Sequence, residues 1–158
     1  MIGLTDATKV AALLKNRRET IAIAESSAGG LIAAAMLSIP GASAYFVGGA
    51  VFYTRKSIRE LLDVSDEGFA AMRGLSETTA LIMARAIRVH LSSTWGIAEA
   101  GASGPSGSRY GDPAGKSCIA IAGPVERAIT VETGSADRVA NMQAFAAAAL
   151  RLFEESLK

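Results

Sequence analysis

The sequence predicts an α/β fold, a three-layer α/β/α sandwich built on a mixed β-sheet. Segments of helical and strand periodicity alternate along the first two thirds of the chain, as expected when helices cover the faces of a sheet. Gly123-Pro124 then separates two alternating runs, Lys116 to Ala122 and Ala128 to Glu132, which reads as a hairpin and makes part of the sheet antiparallel. Finally, Asp137 to Leu157 places Val139, Met142, Phe145, Ala149, Leu152 and Phe153 on one broad apolar stripe, a long helix packed on that sheet.

The elements follow in order. Asp6 to Arg18 has Val10, Leu13 and Leu14 at helical spacing, and Thr20 to Ala24 is a short buried strand. Ser26 or Ser27 is placed to cap a helix from Leu31 to Ile39, which Pro40-Gly41 stops. Tyr45 to Tyr53, rich in aromatic and β-branched residues around Gly48-Gly49, reads as one or two strands with a bulge or a close backbone approach. Thr54 to Leu62 is a short helix. Glu77 to Leu91 is a longer one, capped by Ser76, with Leu81, Ile82, Ala86 and Val89 directed at the core. Trp95 to Ala100 is a strand leading into a loop that runs from Gly101 to Gly115.

With 158 residues, half of them hydrophobic, the chain is long enough for one good core, and a single domain over residues 1–158 is expected. Sixteen basic against fifteen acidic residues, without long runs of either sign, leave no electrostatic footprint for nucleic acid or a membrane surface. No apolar stretch approaches the roughly 18 to 20 residues of a membrane span, and no secretory signal opens the chain, so a cytoplasmic location is expected. One histidine, His90, and one cysteine, Cys118, offer no cluster for a transition metal. Cys118 lies in an alternating run and reads as a buried structural thiol. The alanine-rich helices leave a homo-oligomer open.

Two glycine-rich turns end apolar strands: Ala24-Glu25-Ser26-Ser27-Ala28-Gly29-Gly30 and Gly101-Ala102-Ser103-Gly104-Pro105-Ser106-Gly107. Small residues of this kind let backbone N–H groups approach a ligand closely, and a following helix adds its positive dipole end. A small polar or anionic guest is expected, with Glu25, Ser26, Ser27, Gly29, Gly30, Gly101, Ser103 and Gly104 as candidate ligand-binding residues. Glu25 reads equally as a partner for a cation or for the helix start, and Ser26 and Ser27 as caps. Tyr110, in the second loop, is placed to cover a ring-shaped ligand.

These turns, with Pro40-Gly41-Ala42-Ser43-Ala44, Gly48-Gly49-Ala50-Val51-Phe52-Tyr53 and Pro113-Ala114-Gly115-Lys116, resemble the CinA C-terminal domain family over almost the whole chain. The resemblance implies a nicotinamide mononucleotide deamidase, hydrolysing a carboxamide to the acid and ammonia with no cofactor and no metal. It implies a Ser-Tyr-Lys centre, whose serine falls on Ser43 and whose tyrosine falls on Tyr53. The lysine, five residues after the tyrosine, falls on Ile58.

That substitution removes the base a serine hydroxyl needs. Lys56 is two residues away, roughly 200° around a helix and so expected on another face. Arg55 and Arg59 stay protonated and suit phosphate rather than proton transfer. Further departures from the resemblance are Ser27 and Ala28 for a cysteine and a threonine, Ala100 for a hydroxyl residue, and Ala140 for an arginine after Val139. Two functions are therefore expected in competition: the amidase, or an inactive or substrate-shifted relative that binds a nucleotide-like ligand.

Overall fold

The computed structural model describes residues 4–158. Five strands, β1 (Ile21–Glu25), β2 (Phe46–Val51), β3 (Trp95–Ala102), β4 (Lys116–Ala122) and β5 (Arg127–Glu132), form one sheet in the order β2-β1-β3-β4-β5. β1 runs parallel to β2 and β3, whereas β3 with β4 and β4 with β5 are antiparallel. The helices are α1 (Leu4–Arg17), α2 (Leu31–Leu37), α3 (Arg55–Leu61), α4 (Asp66–Ala71), α5 (Glu77–His90) and α6 (Arg138–Ser156).

The two faces of the sheet are written in its alternation. Isoleucines at 21, 23, 97, 119 and 121 point to one side with Trp95, where α1, α2 and α6 supply Leu14, Ile32, Met36, Phe145 and Phe153. Each such side chain contributes about 1.5 to 3 kcal/mol when fully buried. Alanines at 22, 24, 98, 100, 120 and 122 point to the other side, against α5 with its own Ala80 and Ala84. Small residues on both partners bring α5 very close to the sheet. A Cβ on Gly96 would lie 2.1 Å from the Ala84 carbonyl oxygen.

Trp95 anchors the lower edge of the core. Its indole N–H donates to Glu19 at 2.6 Å, and its ring meets Phe153 edge-on at 5.5 Å between centroids, an arrangement favoured by the ring quadrupole. Cys118 is buried, and desolvation pushes its thiol above the ordinary range.

Several elements differ locally from their sequence expectation. α4 has no counterpart among the elements expected from sequence; Ser65 caps its start by accepting from the Gly68 N–H. By contrast, the segment around Gly48-Gly49 is as expected one strand with an irregularity, a register shift opposite Ile21/Ala22, and it forms the sheet edge. Val89 and Val139, expected toward the core, are 73% and 63% exposed, because each sits on the solvent side of its helix. Neither Ser26 nor Ser27 caps α2 through its side chain: the N-cap is Gly30, at φ 93°, with no side-chain cap.

Among the described residues, no helix is long and apolar enough to cross a membrane.

Candidate functional site

The Ile face of the sheet turns polar at the carboxyl ends of β1 and β3. Glu25 ends β1 and is 1% exposed; Glu99 lies in β3 and is fully buried. Between them hangs the turn from Ser26 to Gly30. Glu25 accepts from the N–H groups of Gly30, Ile32 and Ala33 at 3.0, 3.1 and 2.7 Å. It satisfies the first turn of α2, doing from the preceding strand what a capping side chain ordinarily does. Glu99 accepts from the N–H groups of Ser26 and Ala28 at 3.1 and 2.8 Å, from the Ser27 hydroxyl, and from the Ser117 hydroxyl at 2.7 Å.

The Gly29 N–H bonds to the Ser26 carbonyl within the turn, and the Leu31 N–H to the Ala28 carbonyl. Two of the protein's own carboxyl groups, Glu25 and Glu99, thus occupy N–H groups of this glycine turn. Burial pushes the Glu25 carboxyl above the ordinary range; the three N–H donors offset part of that rise, and the charge of Glu99 adds to it.

The opposite, alanine-rich side of the same strand ends opens into a cleft of about 440 Å³. β1 leaves the sheet toward α2 on one face, and β2 leaves toward α3 and α5 on the other, so the cleft lies at a switch in chain direction, where α/β sheets hold ligands. Phe52, Ile58, Met72, Leu75, Met83 and Ala100 make its apolar lining. Ser26, Tyr53, Thr54, Thr79 and Ser108 bring hydroxyls, and Arg55, Lys56 and Arg109 bring charge. No carboxylate lines it among the described residues.

Of the residues singled out in the sequence, Ser26, Tyr53, Arg55 and Gly101 line this cleft. Glu25, Ser27, Gly29, Gly30, Ser103 and Gly104 do not; they build the turns behind it. Ser103 donates to the Ser27 carbonyl at 3.0 Å, and Asn141 of α6 donates to the Ser103 carbonyl at 2.8 Å, so the second glycine turn is tied to the first and to the C-terminal helix. Gly101 is required by packing: a Cβ there would come within 2.6 Å of the Ser27 hydroxyl oxygen.

Ser43 is exposed in a 3-10 turn, Ala42–Ala44, before β2 begins, whereas Tyr53 follows the end of β2. The strand between them spans roughly 16 Å. Ser43 and Tyr53 of one chain therefore lie at opposite ends of β2.

Arg55 lines the cleft, but its guanidinium donates to the carbonyls of Met72 at 2.6 Å and Phe69 at 3.2 Å, and stacks over the Phe69 ring. Arg59 is outside, paired with Asp66. Lys56, expected on another face, lines the same cleft as Ile58, because it opens α3 at the rim while Ile58, 8% exposed, sits in the floor. Tyr110, half exposed, also lines the cleft.

Sequence reasoning missed the cleft-lining Thr79, Ser108 and Arg109, and two residues behind the cleft, Glu99 and Arg138. Glu99 organises the turn, and its signal was an acid set in the otherwise apolar run Trp95–Ala102. Arg138 stands two residues before the alanine that replaces an arginine in the resemblance. It donates to the Tyr53 hydroxyl at 3.2 Å and to the Gly104 carbonyl at 2.5 Å.

Comparison with known proteins agrees with this architecture. Residues 5–157 match the CinA C-terminal domain family. A CinA-like protein of Desulforapulum autotrophicum is 39% identical over 150 residues, covering 94% of this chain and 35% of the relative. A CinA-like protein of Gloeobacter violaceus is 40% identical over 132 residues, covering 83% and 31%. The chain thus spans about a third of the length of the curated relatives it matches.

Among solved structures, the competence-damaged protein (CinA) superfamily protein of Klebsiella pneumoniae superposes with a TM-score of 0.90 at 26% identity, over 98% of this chain and 96% of that one. The competence/damage inducible protein CihA of Agrobacterium tumefaciens gives 0.88 at 27%, over 98% and 94%. On this match over nearly its full length, the chain belongs to the CinA C-terminal domain family.

Proposed function

We propose that the protein binds a nicotinamide mononucleotide-like ligand in the cleft above β1 and β2, and that it is an impaired relative of the deamidases its sequence resembles. The observation that supports this is Ile58: the position the resemblance gives to the base is a buried hydrocarbon in the cleft floor. A serine hydroxyl without a base is a weak nucleophile, and loss of general-base assistance costs about 100- to 10,000-fold. The serines that do line the cleft with Tyr53 are Ser26 and Ser108, of which Ser26 belongs to the glycine turn. Ser43 of the same chain is at the far end of β2.

The test measures ammonia release from nicotinamide mononucleotide, with calorimetric binding in the same samples, for the natural protein and for Ile58→Lys, Ser26→Ala and Ser43→Ala. Binding by the natural protein without appreciable release, and release gained in Ile58→Lys, is the expected result. Efficient release by the natural protein would overturn the impaired reading, and the serine variant that abolishes it would name the nucleophile. Absence of binding by folded protein would remove the ligand assignment.

A further inference from the structure

Every charge that lines the cleft is positive, in a chain whose formal net charge is only +1. Arg55 is committed through its donors to two backbone carbonyls. Lys56 and Arg109 are different: among the described residues neither has an ion pair or a side-chain hydrogen bond. Lys56 comes from the first turn of α3, and Arg109 from the loop between β3 and β4.

That loop is built rather than loose. The Ser108 hydroxyl donates to Asp112 at 2.7 Å and accepts from the Tyr110 and Asp112 N–H groups, and the Ser108 N–H donates to the Asp112 carbonyl at 2.9 Å. Lys116 pairs with Asp112 at 2.5 Å from the start of β4. Gly107 allows the closure, since a Cβ there would lie 2.0 Å from the Asp112 carbonyl oxygen. The result is a closed turn that presents Arg109 and Tyr110 to the cleft while Asp112, the one acid of the turn, is spent on Lys116. Uncompensated cations above a floor of Phe52, Ile58, Met72 and Met83 match a ligand with an anionic arm and a flat, weakly polar ring.

We propose that Lys56 and Arg109 form the anion-holding rim of the cleft, recognising the phosphate monoester of a ring-bearing ligand whose ring rests on the apolar floor. This rests on the reading of the cleft as the ligand site, and is independent of whether an amide is hydrolysed there. A phosphate monoester is favoured over a monoanionic group because its charge of about −1.5 to −2 at neutral pH meets two separate cations.

The test is calorimetric titration of the natural protein, Lys56→Gln and Arg109→Gln with three probes: nicotinamide mononucleotide, nicotinamide riboside, which lacks the phosphate, and ribose 5-phosphate, which lacks the ring. The natural protein is expected to bind the mononucleotide at least tenfold more tightly than either truncated probe. Each substitution is expected to weaken the mononucleotide about tenfold, a loss of one partner of a charge-assisted contact, and to leave the riboside unchanged. Equal affinity for mononucleotide and riboside, equal weakening of both by the substitutions, or no mononucleotide binding by folded protein would each overturn the assignment. Ammonia release separates the two proposals: phosphate discrimination without release sustains the rim whatever the amidase outcome, and release whose KM ignores both substitutions removes the rim while leaving the enzyme.

Discussion

Glu25 of β1 and Glu99 of β3 sit one residue beyond the paired Ala24 and Ala98, side by side across the sheet, and their buried carboxylates grip the same turn from two strands. Two like charges in such a place are costly unless each is fully hydrogen-bonded. Here three backbone N–H groups serve one, and two N–H groups with two hydroxyls serve the other. The pair exchanges electrostatic cost for a rigid turn that presents Ser26 to the cleft.

Replacing Glu99 by alanine should therefore cost about 3 kcal/mol or more, since two N–H groups and two serine hydroxyls lose their acceptor in a dry site. Urea denaturation followed by circular dichroism measures it. A loss below about 1 kcal/mol would show that water enters and replaces the carboxylate.

The raised Glu25 carboxyl makes a pH prediction with a definite sign. The folded chain holds that proton more tightly than the unfolded chain, so stability falls as pH rises from the ordinary value of 4.5 into the raised range, and levels off above it. Asp112 and Glu126 have lowered pKa values, through hydrogen bonds from Lys116 and Arg85 respectively, and act oppositely, losing their contribution as pH falls. The contribution of Glu25 is isolated as the difference between natural protein and Glu25→Gln. The natural protein's stability relative to the variant should decrease with rising pH above 4.5. A difference that does not change across the range counts against the assignment.

Glycines 96 and 111 should respond differently to alanine. Gly96 faces the α5 backbone with no room for a methyl group, so Gly96→Ala should cost roughly 3 kcal/mol by forcing helix and sheet apart. Gly111 has open space but a φ of 92°, so Gly111→Ala pays only local backbone strain, about 1 to 2 kcal/mol. Thermal melts of the two variants rank them.

The layers of the fold were legible because the chemistry alternates visibly: Ile-Ala-Ile-Ala in β1 and Ile-Ala-Ile-Ala in β4 specify two apolar faces of different depth. α4 was not, since six residues with a glycine among them carry too little periodicity to stand out. The first glycine turn reads as an anion site in the sequence, but sequence order does not reveal that Glu25 from the preceding strand and Glu99 from a distant one occupy its N–H groups. Glu99 was hidden for the same reason: its four donors are 18 to 73 residues away along the chain. Helical angle alone puts Lys56 on another face, but a long side chain at the first turn of a helix reaches over the rim of a broad cleft.

The separation of Ser43 from Tyr53 by the length of β2 has a kinetic consequence. A reaction requiring both hydroxyls on one substrate would be impossible within a single copy and would have to recruit the second from a neighbour. Its specific activity would then fall on dilution, and a mixture of Ser43→Ala and Tyr53→Phe chains, each inert alone, would regain turnover. A reaction using Ser26 would show neither behaviour, keeping the same turnover per molecule at any concentration.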